Sequence, residues 1–222
     1  MGALAEWLGR DGWDELVRDH LGAQPFARPG VARAAVPQCS WPMLEEALGS
    51  DAADVLVVRG GRDLPEPRPR SLTELRALFE QGSGIALRKA EQASATVGAL
   101  ASSMARDVPG EQRVIVFATP AQTHGFGWHF DPEEVFVVQT SGVKTYYLRA
   151  NTVCPKQLAP CAESFARYAL ETSPLLACDL EPGDLLYIPS GYWHMAYARR
   201  TSLSVSIGVL PDSGGSQGVD GG

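Results

Sequence analysis

The sequence predicts a mainly β fold with helices: a double-stranded jelly-roll barrel carrying N-terminal and covering helices. Two observations carry that expectation. From Gln112 onward, short runs rich in Val, Ile, Leu, Phe and Tyr follow one another between Pro, Gly and Ser turns, as in antiparallel barrels and sandwiches. Before that point, apolar residues recur at helical spacing behind Ser caps and ahead of Gly stops. The length of 222 residues suits one main domain, and 45% hydrophobic residues suffice for a core. The expected organisation is a helical segment over residues 1–50 packed on the barrel, a barrel domain over 51–211, and a disordered Gly- and Ser-rich tail over 212–222.

Taken in order, Trp13, Leu16, Val17 and Leu21 fall on one helical face, and Gly22 stops that helix. Ser40 can cap a short helix carrying Met43, Leu44 and Leu48, which ends at Gly49. Val55-Leu-Val-Val58 reads as a strand. Ser71 and Glu74 form a capping box ahead of Leu75, Leu78 and Phe79, with Gly82 as terminator. Gly84-Ile-Ala-Leu87 is a second strand, and Val97, Leu100, Ala101 and Met104 mark a further amphipathic helix. The barrel strands are then Val114 to Phe117, Val135 to Gln139, Val143 to Leu148, Leu185 to Ile188 and Leu203 to Ile207. Residues 151–178 interrupt them and read as a helix and loop inserted at the barrel mouth.

Composition narrows the function. A net charge of -7 and a pI near 5.1 argue against a broad nucleic-acid or anionic-membrane surface. Arg62, Arg68 and Arg70, like Arg199 and Arg200, read as solvated loop charges. No run is long and apolar enough to span a bilayer, and the charged N-terminus lacks a signal-peptide core. Cys39, Cys154, Cys161 and Cys178 form no CxxC pair, which suits free thiols in a reducing cytoplasm.

The chemistry concentrates in three residues. His129 and Asp131 sit in Gly-Trp-His129-Phe-Asp131-Pro, and in an extended strand they project to one side. His194 follows an apolar strand and a Pro/Gly turn, so it can arrive from a neighbouring strand. Two imidazoles and one carboxylate can occupy one face of a metal octahedron, leaving the opposite face open to substrate and O₂. Lys144, inside the apolar and aromatic run Val143-Lys-Thr-Tyr-Tyr-Leu148, needs a partner if buried, because an unpaired buried ammonium costs on the order of several kcal/mol. A diacid that chelates the metal at one end and neutralises Lys144 at the other would supply one; an exposed edge-strand Lys is the alternative. Tyr146 and Tyr187 can line the pocket but read first as core aromatics, Glu133 and Glu134 as turn and strand-start residues, and His20 and His124 as surface or loop residues rather than ligands.

Four stretches together carry a resemblance: Gly125-Phe-Gly-Trp-His129-Phe-Asp131, Glu134-Val-Phe-Val-Val-Gln139-Thr-Ser-Gly-Val-Lys144, Pro182-Gly-Asp-Leu-Leu-Tyr-Ile-Pro189-Ser-Gly-Tyr-Trp-His194, and Ser202-Leu-Ser-Val-Ser206. They resemble the JmjC/cupin-like branch of the Fe(II)- and 2-oxoglutarate-dependent oxygenases, particularly the bacterial ribosomal-oxygenase type, and weaker likeness runs back through residues 54–107. The resemblance implies that His129, Asp131 and His194 bind Fe(II), that Lys144 grips the distal carboxylate of 2-oxoglutarate, and that Ser204 and Ser206 lie near that cosubstrate. It implies a hydroxylase that consumes O₂ and 2-oxoglutarate and releases succinate and CO₂. The family's C-terminal domains and the segment 151–178 have no matching counterpart, so the substrate is expected to be a peptide or protein side chain or a small metabolite. A Zn²⁺ or Mn²⁺ cupin acting as hydrolase or isomerase, and a catalytically silent binding module, are the alternatives. Neither nucleic acid nor membrane is an expected partner, and the oligomeric state is left open.

Overall fold

The computed structural model describes residues 1–153 and 167–210. The predicted tail and the central part of the predicted insertion, with Cys154 and Cys161, lie outside the described residues. Five α-helices are described: α1 (Ala3–Glu15), α2 (Trp41–Gly49), α3 (Leu72–Glu80), α4 (Ala90–Ala93) and α5 (Ala95–Met104). The first seven strands are β1 (Phe26–Arg28), β2 (Asp54–Arg59), β3 (Arg62–Leu64), β4 (Gly84–Arg88), β5 (Glu111–Thr119), β6 (Thr123–His124) and β7 (Glu134–Ser141). The remaining five are β8 (Lys144–Arg149), β9 (Leu176–Leu180), β10 (Leu185–Ile188), β11 (Trp193–Ala198) and β12 (Ser202–Leu210).

These strands form two antiparallel sheets. The larger runs β1-β10-β7-β12-β5-β4-β2-β3 and the smaller β6-β11-β8-β9, which is the jelly-roll arrangement the sequence predicts. Side-chain alternation explains how one sheet serves two cores. Val114, Val116, Phe136, Val138, Leu185, Val205 and Ile207 on the larger sheet join the cluster that packs under the helices. Their alternates Val135, Val137, Leu186 and Ile188 pack against Tyr146, Leu148 and Leu180 of the smaller sheet. Ser204 and Ser206 alternate with Leu203, Val205 and Ile207 along β12, so both face the barrel interior rather than the helices.

The helical signals hold with local differences. Ser71 Oγ accepts from Glu74 N–H at 3.2 Å, while the Glu74 carboxylate reaches back to Arg70 N–H rather than to the cap residue itself. Ser40 precedes α2 without a capping hydrogen bond from its hydroxyl, and Pro42 supplies the start signal instead. The first predicted helix, over Trp13 to Leu21, ends in a π-helical turn over Leu16–His20, and α1 extends upstream of it to Ala3 with a kink at Gly9 (φ 65°). That turn buries Leu16 but rotates Val17 outward, where it is 46% exposed, correcting its assignment to the buried face. The insertion predicted over 151–178 is also corrected at its C-terminal end: Leu176–Leu180 pairs with β8 as an edge strand. Glu171 fixes the approach to it, accepting hydrogen bonds from Thr152 N–H and Oγ1 and from Thr172 and Ser173 N–H.

Candidate metal centre and cosubstrate cavity

His129 and Asp131 lie in the loop between β6 and β7, not in the extended strand expected from their spacing. Tertiary contacts produce their convergence instead. His129 forms a single antiparallel bridge with His194 on β11, donating its N–H to His194 O at 3.2 Å and accepting from His194 N–H at 2.8 Å. Gly191 N–H donates to Asp131 O at 2.8 Å, fastening the loop to the turn that leads from β10 in the larger sheet to β11 in the smaller. His194 therefore arrives from the neighbouring sheet, as its position after a Pro/Gly turn predicts.

The three side chains meet. Asp131 Oδ2 stands 3.4 Å from His194 Nε2 and 3.9 Å from His129 Nε2, and one ligand atom from each residue lies within 4.8 Å of the others. Each ring has its Nδ1 against a backbone carbonyl: His129 with Gly127 O at 2.7 Å, His194 with Tyr192 O at 3.0 Å. An Nδ1–H donated there turns both Nε2 atoms toward Asp131, and a divalent cation bound between them would replace the proton that His194 Nε2 shares with Asp131. Burial, then the neighbouring His194 charge, lowers the His129 pKa to about 4, so this imidazole stays neutral. Burial alone would raise Asp131, but its hydrogen bond to His194 and the charge on that imidazole hold it at about 2. Burial likewise opposes protonation of His194, and Asp131 outweighs it, leaving that pKa above the ordinary value. Two neutral-capable nitrogens and one carboxylate converging on one point fit a divalent metal with mixed N/O preference, and iron, manganese or zinc satisfies that description.

Behind the triad lies a narrow cavity of about 60 Å³ lined by His129, His194, Phe117, Tyr146, Lys144 and Ser206 among others. The β8–β11 ladder sets its depth. His194 pairs with Leu148 and Ala198 with Lys144, so the lysine enters the barrel four residues further along, about 13 Å at the usual strand rise. Lys144 is 3% exposed, which removes the edge-strand alternative. Its Nζ donates to Ser204 Oγ at 2.9 Å and lies 5.3 Å from the Phe117 ring centre. Among the described residues no carboxylate pairs with it. Burial consequently lowers its pKa to about 7. Ser204 is fully buried beside Lys144, and Ser206 faces both the cavity and its mouth.

Two sequence readings, those of His124 and His20, need correction here, and Tyr146 fills both of the roles open to it. Tyr146 does line the cavity, with its hydroxyl bonded to Ser204, in addition to packing in the inter-sheet core. The available signal was spacing: Tyr146 is two residues from Lys144 on one strand and must share its face. His124 lies on β6 and lines the outer groove rather than standing free at the surface. His20 is likewise part-buried, packed against Phe26 and bonded to Pro25 O. Tyr187 is core as expected, with its hydroxyl donating to Glu134 at the start of β7 and accepting from Gly22 N–H.

Fold and site together define a jelly-roll protein with a two-histidine, one-carboxylate centre beside a cavity that contains a buried lysine. A family model described as "JmjC domain" matches residues 91–215, and the protein belongs to that family. Human ribosomal oxygenase 1 is 30% identical over 141 residues, covering 63% of this chain and 22% of that protein. The Drosophila persimilis bifunctional lysine-specific demethylase and histidyl-hydroxylase NO66 is 35% identical over 92 residues, covering 41% of this chain and 13% of the relative. The present sequence thus spans less than a quarter of either protein. Among solved structures, the Escherichia coli ribosomal oxygenase YcfD in complex with cobalt and succinic acid superposes with a TM-score of 0.63 at 18% identity, covering 89% of this chain and 51% of that one. No described helix is long and apolar enough to cross a membrane.

Proposed function

We propose that the protein is an Fe(II)- and 2-oxoglutarate-dependent oxygenase that hydroxylates a C–H bond in the side chain of a protein substrate. The observation that carries this reading is Lys144: a buried ammonium without a carboxylate partner among the described residues, in the same cavity as His129 and His194, whose rings converge on Asp131. A metal-dependent hydrolase or isomerase has no need of that cation, whereas a dicarboxylic 2-oxo acid requires one. The names of the relatives, ribosomal oxygenase and histidyl-hydroxylase, support a protein substrate over a small metabolite.

His129, Asp131 and His194 would hold the ion, and the ion would supply activation of O₂ coupled to conversion of 2-oxoglutarate to succinate and CO₂. The protein's own part begins with the Gly127 and Tyr192 carbonyls, which fix both imidazole tautomers before any ligand arrives. Asp131, held ionised, offsets cationic charge at the cavity mouth. Lys144 and Ser204 would hold the distal carboxylate, and a carboxylate beside Lys144 would keep its ammonium protonated. Phe117, Val137 and Tyr146 wall the space between and exclude water from it.

The test is a titration of 2-oxoglutarate into the Fe(II)-loaded protein without oxygen, followed by admission of air. The expected results are a visible charge-transfer band that saturates with 2-oxoglutarate, and slow succinate formation even without a second substrate. A protein that binds the metal yet gives neither is not an oxygenase.

A further inference from the structure

The segment between β8 and β9, predicted as an insertion, carries Tyr168. The Tyr168 ring is stacked on Trp128, with centres 4.0 Å apart and planes 11° from parallel. It also meets the Trp193 ring edge-on at 5.7 Å. Each of these tryptophans directly precedes a histidine of the metal centre: Trp128 comes before His129, and Trp193 before His194. Phe130, between His129 and Asp131, packs edge-on against the same Trp193 at 4.9 Å. One tyrosine from a distant segment thus touches the residue before each imidazole.

The placement has a geometric consequence. On β11, alternation turns Trp193 away from the cavity when His194 points into it. In the β6–β7 loop, the ring contacts draw Trp128 and Phe130 to that same far side, which leaves His129 and Asp131 to face His194. The His129–His194 bridge and the bond from Gly191 N–H to Asp131 O fasten only the main chain. The aromatic layer decides which way the side chains turn.

Tyr168 is itself held. Its carbonyl accepts from Glu171 N–H at 2.9 Å, and the Glu171 carboxylate ties Thr152, on leaving the barrel, to Thr172 and Ser173, on returning to it. Arg149, opposite Trp193 on the β8–β11 ladder, donates to Glu171 O at 3.0 Å and sets its guanidinium 5.7 Å from the Tyr168 ring centre.

We propose that Tyr168 is a positioning residue for the metal centre: acting through Trp128 and Trp193, its ring holds His129 and His194 in their converged geometry before an ion binds. The proposal rests on the metal centre of the reading above and not on the reaction run there. By linkage, an ion bound at the triad must in turn steady the segment that carries Tyr168.

The test is calorimetric titration of Co(II) into the metal-free protein, with neither cosubstrate nor turnover. Tyr168→Ala should bind Co(II) about ten- to a hundredfold more weakly than wild type, the usual effect of losing a group that orients metal ligands. Tyr168→Phe keeps the ring and should bind as wild type does. Tyr168→Leu keeps apolar bulk without a flat face; it should share the loss, and it decides the matter if the alanine variant does not fold. Phe79→Ala removes a ring packed on Trp41 in the helical layer, and it should lower the melting temperature while leaving Co(II) affinity unchanged. Hydrogen exchange gives the reciprocal reading: Co(II) should slow exchange of the Glu171, Thr172 and Ser173 amides in wild type, but not in the folded variant that lacks the ring. Unchanged affinity in the alanine and leucine variants overturns the proposal. So does an equal loss in Phe79→Ala, which would mark general destabilisation. A wild type that binds no Co(II) strikes the metal centre itself, a failure distinct from the other two.

Discussion

Replacing Lys144 with Met should make the ligand-free protein more stable and a worse binder of 2-oxoglutarate. Met keeps most of the volume and removes the charge, so cavity formation contributes little. The lysine pKa falls from 10.5 to about 7 on burial, equivalent to about 5 kcal/mol of disfavour for the charged form and an upper bound on the effect. The sign follows from proton counting. Between about pH 7 and 10.5 the unfolded state binds the proton and the folded state does not, so wild-type stability rises with pH across that window. Below about 7 both states are protonated and the whole penalty is present. Lys144→Met should therefore melt higher than wild type at pH 6, with the gap closing as pH approaches 10. Cosubstrate affinity should move the other way. Losing a buried charge-assisted contact costs about 3 kcal/mol, or roughly a hundredfold in Kd. Wild-type affinity should also decline above pH 7, by up to about tenfold per pH unit, because binding then requires proton uptake; the Met variant should lack that slope. Calorimetric titration of 2-oxoglutarate into anaerobic Fe(II)-loaded protein, with melting curves of the ligand-free protein, reads both quantities. Equal affinities, or a variant that melts lower at pH 6, would refute the account of Lys144 as an unpaired cation awaiting a carboxylate.

Asp131→Ala should abolish stabilisation by Fe(II) or Mn(II) in thermal melts while leaving the far-ultraviolet circular dichroism unchanged, since Asp131 lies in a loop outside the sheets and its carboxylate pairs with the two imidazoles. Glu171→Gln should cost about 2 kcal/mol at neutral pH, read by urea denaturation, because the carboxylate accepts several hydrogen bonds from Thr152, Thr172 and Ser173. Burial would raise the Glu171 pKa, but these bonds lower it from 4.5 to about 2, so the wild-type advantage is full above pH 4.5 and is lost as pH falls toward 2. An equal difference at pH 7 and pH 2 would exclude that origin.

The barrel was legible because its long strands are buried on both faces and read as short, nearly continuous apolar runs between turn residues, as in Val135 to Gln139, or as apolar residues alternating with Ser, as in Leu203 to Ile207. The metal ligands were legible as residue types at a spacing, yet strand alternation is not what brings them together. His129 and Asp131 converge through the bridge to His194 and the contact with Gly191, neither of which is local in sequence. The short strands Phe26–Arg28, Arg62–Leu64 and Thr123–His124 were missed because two or three residues carry no period, and only pairing with a distant partner makes them strands. Trp193–Ala198 was missed for another reason: its inward residues His194 and Ala196 line a cavity instead of filling a core, so the apolar alternation is absent there.

The four-residue offset between His194 and Lys144 on the β8–β11 ladder turns that strand pair into a caliper. Side chains return to the same face every second residue, so the jaws can be reset only in increments of about 7 Å while both groups still point inward. Small adjustments of reach must come from side-chain length, as in exchanging lysine for arginine. Descendants of this barrel could thus change which diacid they accept by coarse jumps or by such fine trimming, and the pleat permits nothing between.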